Sequence, residues 1–208
     1  DAMEFFTHLM NSLEASNSTF FNFNTINYIQ FYNAASACRH CGTGPQPTTD
    51  TQNILQLALQ QTEEITQSLS QLIHQHLAMK YSDEGCGKRC LICCTHGDSS
   101  DHQNDIKCVP QPYVYQKRFT TFPPFLLIQL KRFKHKPDNT MEKINTLVTA
   151  TNTIVIQATK YNLLATLDHH QSKDGTGHYK SNLKTGNRWY TCNDASMPQY
   201  IPEINVLE

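Results

Sequence analysis

The sequence has no long apolar run, no excess of charge of either sign and no repeated or low-complexity segment. Its 17 lysines and arginines nearly balance 18 aspartates and glutamates, so the net charge is −1, which favours neither nucleic acid nor an acidic surface as a partner. No apolar stretch reaches membrane-spanning length, and the beginning, Asp1-Ala-Met-Glu-Phe-Phe, lacks the basic region and apolar core of a secretion signal. These absences predict a cytoplasmic or nuclear protein with no nucleic-acid and no membrane partner.

The length of 208 residues is enough for one sizeable core with a subdomain. Two segments, 1–13 and 66–79, have apolar residues at helical spacing and predict amphipathic helices packed on a core. In the first segment these residues are Met3, Phe5, Phe6, Leu9, Met10 and Leu13, and in the second Leu69, Leu72, Ile73 and Leu77.

Most other apolar segments are short and β-prone, which predicts strands. The most apolar is Phe125 to Leu130, which we expect to be a central strand because it can hardly lie at an exposed edge. Between the strands, 134–141 predicts a turn-rich loop, and the chain after Asp194 shows no clear element. The remaining β-prone or apolar segments are Phe21 to Phe31, Ile54 to Leu59, Ile144 to Ile156, Tyr161 to Leu167, which reads as a buried strand, and Arg188 to Cys192.

Several of the eight cysteines lie at two-residue spacings, which suit a metal better than disulfides and favour a reducing compartment. Cys38 and Cys41 form one such pair, followed by glycines that allow the backbone to fold over a metal, and Cys90 and Cys93 form another. Together they predict a four-cysteine tetrahedral zinc site. One ligand of the second pair could instead be supplied by Cys86, Cys94, Cys108, His96 or His102.

The stretch from Tyr161 to Asp194 has the arrangement of an acid/base site. Two strand-like segments flank a loop whose glycines, Gly175 and Gly177, allow a tight turn and place His178 at the mouth of a cleft. A histidine titrates near neutral pH and needs a second polar group to fix its tautomer, which Asn193 or Asp194 could supply. The same residues also fit a hairpin with a solvated histidine.

Four motifs, in order, resemble those of the ubiquitin-specific proteases, the papain-like cysteine deubiquitinases. Asp1-Ala-Met-Glu-Phe-Phe is similar to their Asp-Ala-x-Glu-Phe-Leu box, and the pair of Cys38 and Cys41 is similar to their zinc-ribbon fingers. Phe122-Pro-Pro-Phe-Leu-Leu-Ile-Gln-Leu-Lys-Arg-Phe133 matches the strand that follows the fingers. The histidine box is matched by Tyr161-Asn-Leu-Leu-Ala, His169, Gly177-His178-Tyr179, Trp189 and Asn193-Asp194.

This resemblance implies an α+β, papain-like cysteine peptidase fold with a palm β-sheet and zinc-ribbon fingers, most of the thumb being absent. The chain would then be one partial catalytic domain over 1–208. Its fingers would span about 20–120 and its palm, with the histidine box, about 121–208, the boundaries following from the motif order.

The resemblance also implies roles for individual residues. His178 would be the general base that deprotonates a cysteine thiol, Asn193 would orient its imidazole, and Asp194 would support or replace Asn193. Asp1 and Tyr179 would line the channel for the ubiquitin tail, with His169 nearby. Structural Zn²⁺ would be the cofactor, and ubiquitin, polyubiquitin and ubiquitinated proteins the partners, with cleavage after the C-terminal glycine of ubiquitin.

The family's nucleophile box, which resembles Gly-Asn-Thr-Cys-Tyr, is missing from this sequence, as is the oxyanion-hole asparagine near it. Cys192 stands where the family usually has an apolar aromatic residue, and we interpret it as a buried small hydrophobe. We therefore expect the nucleophile to lie outside this chain, which would be inactive alone. Two alternatives are a catalytically dead, zinc-stabilised ubiquitin or ubiquitin-like binding module, and a zinc-ribbon nucleic-acid binder that uses the basic run 131–136.

Overall fold

The computed structural model describes residues 2–15, 27–35, 42, 48–59, 66–78, 80–81, 114–171, 177–204 and 206–207. Within these residues lie two helices, α1 (Ala2–Ala15) and α2 (Leu69–Leu77). The strands are β1 (Ile29–Ala35), β2 (Thr48–Gln52), β3 (Ile54–Ala58), β4 (Thr66–Ser68), β5 (Lys80–Tyr81), β6 (Val114–Thr121), β7 (Leu127–Lys131), β8 (Phe133–His135), β9 (Met141–Lys143), β10 (Leu147–Thr149), β11 (Thr153–Ile156), β12 (Thr159–Asn162), β13 (Ala165–Gln171), β14 (Gly177–Thr185), β15 (Arg188–Cys192), β16 (Gln199–Ile201) and β17 (Val206–Leu207).

The chain divides into two compact units, and each combines a helix with β-sheet. The first unit contains Asp1–Leu55 and Leu77–Leu127, and the second contains Gln56–His76 and Ile128–Glu208. The mixed helix and sheet content agrees with the predicted α+β class.

The first unit is built on an antiparallel sheet with the strand order β2-β1-β6-β5. Phe31 and Phe119 are opposite each other on β1 and β6, and their ring centroids are 4.8 Å apart. Both side chains are buried, as is Ile29. Removing this apolar surface from water stabilises the sheet.

Two connections of this sheet leave from the same end. Tyr115 at the start of β6 lies opposite Ala35, the last residue of β1, and opposite Lys80 of β5. The strand ends that flank the segments 36–47 and 82–113 therefore all lie at one end of the first unit's sheet.

Helix α1 is amphipathic, as predicted, although part of its apolar surface faces solvent. Met3, Phe6 and Met10 are half-buried, whereas Phe5 is 69% exposed and Leu9 40% exposed. The predicted strand over 21–31 is confirmed only at its end, where β1 begins; residues 21–26 are outside the described part of the chain.

In the second unit, α2 buries the predicted apolar face, with Leu69, Leu72 and Ile73 inside. The predicted helix begins later than expected, because Thr66–Ser68 forms strand β4, which pairs in parallel with β10. A parallel backbone ladder with β10 satisfies the amide groups that a longer helix would have used.

The second unit also contains the antiparallel sheet β13-β14-β15-β16. Side chains alternate between its two faces. One face carries polar residues that include His170, His178 and Asn182, and the other carries Leu167, Tyr179, Leu183, Tyr190 and Tyr200.

The structure corrects the prediction of a central, buried strand over 125–130. Strand β7 pairs with β3 in a two-stranded sheet of the described residues, and its residues Leu127 to Leu130 are only half-buried. Phe125 precedes the strand and is 55% exposed. High apolar content does not by itself indicate complete burial, because protein surfaces also carry apolar side chains.

Other boundaries also differ from the predictions. The expected buried strand 161–167 is divided between β12 and β13. At the break between them, the Leu163 amide donates to Asn152 O at 2.9 Å. Leu164 and Leu167 are more than half exposed.

The expected loop 134–141 is largely the turn of the β8–β9 hairpin. Strands β16 and β17 follow Asp194, where no element was predicted.

Candidate active site

The hairpin of β14 and β15 brings His178 close to Asn193. His178 is the second residue of β14, and Asn193 directly follows β15. The strands are antiparallel and joined by a tight turn in which Gly186 has a φ of 60°, a conformation that glycine adopts without steric cost. This short connection fixes the register and places the beginning of β14 beside the end of β15.

The His178 imidazole is hydrogen-bonded to the Asn193 side chain, with Nε2 2.5 Å from Oδ1. The side chain of His178 is 39% exposed, so the ring remains accessible. An amide oxygen can only accept, so in the neutral ring Nε2 carries the proton and Nδ1 has the free lone pair. The predicted histidine–asparagine pair is therefore assembled with one ring nitrogen ready to accept a proton.

Asp194 lies further from the ring and is more exposed than Asn193. Its Oδ2 is 3.9 Å from His178 Nε2, and its side chain is 78% exposed. Its φ is 48°, and it is the second residue of a turn that begins at Asn193 and is closed by the Ser196 amide, which donates to Asn193 O at 3.0 Å. At this distance and exposure, the attraction of Asp194 for a protonated His178 ring is weak and screened.

His169 and Tyr179 lie side by side on neighbouring strands, with ring centroids 4.7 Å apart. They face the side of the sheet opposite to His178, because His169 pairs with Tyr179 whereas His170 pairs with His178. A Cβ at Gly177 would overlap His169 Nε2, so the ring packs directly on the glycine backbone. The structure thus brings His169 and Tyr179 together, but on the face opposite to His178.

The pKa of His169 is lowered from its ordinary value of 6.5. Burial is the main cause, because it disfavours the charged imidazolium, and repulsion by Lys143 and His170 adds to it. Lys143 Nζ also donates to the backbone oxygen of His169 at 3.0 Å. This keeps a positive charge near the ring and favours its neutral form.

Cys192 is the one cysteine within the described chain, and it points away from His178. It lies opposite Ser181 on β14, and Ser181 is three residues after His178, so the two side chains are on opposite faces. Cys192 is half-buried rather than buried as predicted. It is therefore not placed to be the nucleophile for His178.

Several of the predicted site residues lie outside the part of the chain that the structure describes. They are Asp1, the proposed metal ligands Cys38, Cys41, Cys90 and Cys93, and the alternatives Cys86, Cys94, Cys108, His96 and His102. No group of three or more His, Cys, Asp or Glu side chains able to hold a metal is found among the residues that are described.

A row of polar side chains beside the pair was not predicted from the sequence; it is formed by Thr166, Asp168, Asn182 and Thr191. A signal was present, because polar residues recur at every second position along β13 and β14. Their contacts depend on register, which the sequence did not specify.

The sequence model of the ubiquitin carboxyl-terminal hydrolase family matches residues 1–206. The chain belongs to this family. The match confirms the resemblance to cysteine deubiquitinases drawn from the motifs, and it covers both the histidine box and the residues before β1. A search of curated protein sequences finds no match.

Solved structures similar to this member of the ubiquitin carboxyl-terminal hydrolase family include three of the SAGA DUB module. The Ubp8/Sgf11/Sus1/Sgf73 module bound to ubiquitin aldehyde has a TM-score of 0.73 and 18% identity, and covers 98% of this chain and 46% of that chain. The yeast module with a mutant Sgf73 has a TM-score of 0.72 and 18% identity, covering 98% and 47%. A module with a variant Ubp8, bound to monoubiquitin, has a TM-score of 0.71 and 18% identity, covering 97% and 44%.

The likeness to these structures shows the fold shared with papain-like deubiquitinases. The chain spans less than half of the length of these three matched chains. Neither helix in the described residues has the length and apolar character needed to cross a membrane.

Proposed function

We propose that this chain supplies the histidine–asparagine pair of a thiol-dependent deubiquitinase that hydrolyses the isopeptide bond after the C-terminal glycine of ubiquitin. The observation that carries the proposal is the 2.5 Å contact between His178 Nε2 and Asn193 Oδ1 on an accessible ring. Membership of the ubiquitin carboxyl-terminal hydrolase family supports the same chemistry, and the ubiquitin-bound state of two similar modules supports ubiquitin as the partner. A cytoplasmic or nuclear location is part of the proposal.

In this reaction His178 moves protons at Nδ1 while Asn193 holds Nε2. Nδ1 accepts the thiol proton, and the thiolate attacks the carbonyl carbon of the terminal glycine. The imidazolium then gives the proton to the lysine amine as the C–N bond breaks, leaving a thioester. Water hydrolyses the thioester after losing a proton to Nδ1, which releases the ubiquitin carboxylate and restores the thiol.

The thiol is proposed to come from a segment outside these 208 residues. Cys192 faces away from His178, and the cysteines from Cys38 to Cys94 are better used on a metal. The chain alone is therefore expected to be inactive, and the complete protein to be active.

The tail of ubiquitin is proposed to contact Tyr179, with His169 and Asp1 nearby. Tyr179 is 40% exposed, which leaves its ring available for a substrate. Because Tyr179 and His178 lie on opposite faces of the sheet, a tail that reaches both has to pass the beginning of β14. Gly177 is at this point, and the His169 ring fills the space of its missing side chain, so a tail that passes there would contact this ring.

A structural zinc ion held by Cys38, Cys41, Cys90 and Cys93 is also part of the proposal. The strand pairing supports it, because the strands that flank the segments 36–47 and 82–113 have the corresponding ends at the same end of the first unit's sheet. Gly42, which follows the first cysteine pair, has a φ of 70°, a backbone conformation suited to a tight turn beside a metal.

The second candidate function is a ubiquitin-binding module that does not cleave. It is favoured by the orientation of Cys192, which leaves His178 without a thiol partner in the described part of the chain. Its weakness is the ordered bond from His178 to Asn193, since a module that only binds has no need to fix a tautomer.

A ubiquitin probe with an electrophile at its C-terminus distinguishes the two functions in the full-length protein. The proposed enzyme forms a covalent thiol adduct, and His178→Ala abolishes the adduct without preventing ubiquitin binding. Binding of ubiquitin with no adduct at any probe concentration establishes the module instead. Absence of both binding and adduct rejects both functions.

A further inference from the structure

The side chain of Asn182 connects three strands of the β13-β14-β15-β16 sheet by hydrogen bonds. This residue lies opposite Thr166 of β13 on one side and opposite Thr191 of β15 on the other. Its Nδ2 donates to Thr166 Oγ1 at 2.9 Å and to Asp168 Oδ2 at 2.8 Å. Its Oδ1 accepts from Thr191 Oγ1 at 2.6 Å. Both ends of the amide are therefore used.

This set of bonds lies where β14 and β15 begin to separate. Their pairing runs from Thr185–Arg188 to Ser181–Cys192 and does not extend to His178. Asn182 and Thr191 form the rung next to the last one. Beyond the last rung, the bond from His178 to Asn193 joins the ends of the two strands.

Asn182 also lies on the same face as the pair. It is four residues after His178 on β14, an even number, which corresponds to about 13 Å along a strand. Thr191 is two residues before Asn193. The Asn182–Thr191 bond therefore joins the two strands on the face of the pair, four residues after His178 and two residues before Asn193.

We propose that Asn182, held by Thr166, Asp168 and Thr191, is a positioning residue that keeps His178 and Asn193 in hydrogen-bonding register. It acts through the two strands and does not touch the reacting atoms. The inference concerns the site of the proposed function and rests on it. The Thr191 hydroxyl bonds the Asn182 side chain from β15 in addition to the backbone ladder, so its loss should let His178 and Asn193 depart from hydrogen-bonding geometry.

The choice of an amide at this position has a chemical reason. Asn182 must donate to an acceptor pair on β13 and accept from a hydroxyl on β15 at the same time, and a side-chain amide has both functions. An apolar side chain would leave Asp168 and Thr191 without these partners. A carboxylate would accept from Thr191 but repel Asp168.

The decisive measurement is the ring tautomer of His178, read from its imidazole nitrogen shifts in the full-length protein at a pH where the ring is neutral. The parent protein should show one tautomer, with the proton on Nε2. Asn182→Leu and Thr191→Val should each give a mixture of both tautomers, while Thr191→Ser, which restores the hydroxyl, should return the single form.

The same variants should separate turnover from binding with a ubiquitin-derived substrate. We expect kcat to fall about tenfold in Thr191→Val with KM unchanged, because a misplaced base slows chemistry without weakening ubiquitin binding. Thr191→Ser should have a kcat close to the parent value. If Asn182→Leu fails to fold, the nearly isosteric Thr191→Val decides the question.

Asn162→Leu is the matched control. Asn162 is also a strand asparagine whose Oδ1 accepts from a threonine hydroxyl, that of Thr153 at 3.0 Å, but it lies in the β11–β12 sheet. It should leave the His178 spectrum unchanged. A folded Thr191→Val variant with the parent tautomer would overturn the positioning role. A protein that cleaves no ubiquitin substrate contradicts the proposed function, and the tautomer still decides the role of Asn182.

Discussion

The two four-stranded sheets in the described part of the chain differ in how their candidate functional groups are placed. The sheet β13-β14-β15-β16 has His178 within a strand and Asn193 immediately after one, so strand register sets their distance. The sheet β2-β1-β6-β5 has an aromatic core, and its proposed zinc ligands lie in segments beyond the strand ends. Strand register directly sets the separation of two side chains, whereas the ends of strands only bring the starting points of two loops together, and the proposed metal would have to organise those loops.

Zinc removal from the first unit should have the largest effect. Structural zinc sites have apparent binding free energies on the order of 10 kcal/mol, which become folding free energy. We expect the double variant Cys38→Ser, Cys90→Ser to lose its bound zinc and the amide protection of β1 and β6, as measured by metal analysis and hydrogen exchange. Cys192→Ser is the control and should keep both. Full zinc content in the double variant would contradict the ligand assignment.

Loss of the base should have the next largest effect. His178→Ala should lower kcat/KM of the full-length enzyme about 10⁴-fold, the scale seen when a catalytic triad member is removed. Asn193→Ala should cost less, roughly 10²-fold to 10³-fold, because the base remains. Steady-state hydrolysis of a fluorogenic ubiquitin substrate measures both. His135→Ala, at an exposed hairpin position, should have parent activity, and comparable activity in His178→Ala would remove this residue from the mechanism.

Truncations in the two sheets should differ in their effect on stability. Phe31 is 0% exposed, and Phe31→Ala should cost about 3–5 kcal/mol through lost burial and a cavity. Leu183 is 48% exposed, and Leu183→Ala should change the free energy of unfolding by about 1 kcal/mol or less. Denaturant unfolding of the full-length protein measures both. Equal losses would show that the β13–β16 sheet is more deeply covered than its exposure indicates.

The smallest expected effect concerns the pH dependence of His169. Its pKa in the folded protein is below the ordinary 6.5 because of burial and Lys143, so the unfolded chain binds a proton more readily. The free energy of unfolding should therefore fall as the pH drops through 6.5 toward the folded-state pKa, and should not depend on this group at higher pH.

His169→Leu should remove this share of the acid sensitivity. The free energy of unfolding of the parent minus that of the variant, measured from about pH 8 to about pH 5, should decrease on acidification. A difference that does not change with pH would show that His169 has the same pKa in the folded and unfolded states.

Much of the candidate site could be predicted from the sequence because its parts are local. A glycine before His178, a short hairpin and an Asn-Asp pair after a strand indicate one end of a two-stranded element, and the structure joins His178 to Asn193 there. Which of Asn193 and Asp194 holds the ring could not be read from residue order, since it depends on the turn at Asp194.

Long-range features were harder to predict. The exposure of Phe125 and the pairing of β7 with β3 depend on contacts between residues far apart in the sequence, and apolar content does not report these. The row formed by Thr166, Asp168, Asn182 and Thr191 requires the register of three strands. The side on which Tyr179 lies follows from the same register, and a one-residue slip would reverse it.

The left-handed backbone at Asp194 bears on how substitutions there should be interpreted. Asparagine, aspartate and glycine tolerate this conformation, whereas valine, isoleucine and threonine are strained in it. A change from Asp194 to Asn therefore tests the carboxylate charge alone, while a β-branched replacement would also distort the adjoining residue that holds the imidazole. An acidic residue at this place can be retained for its shape as much as for its charge.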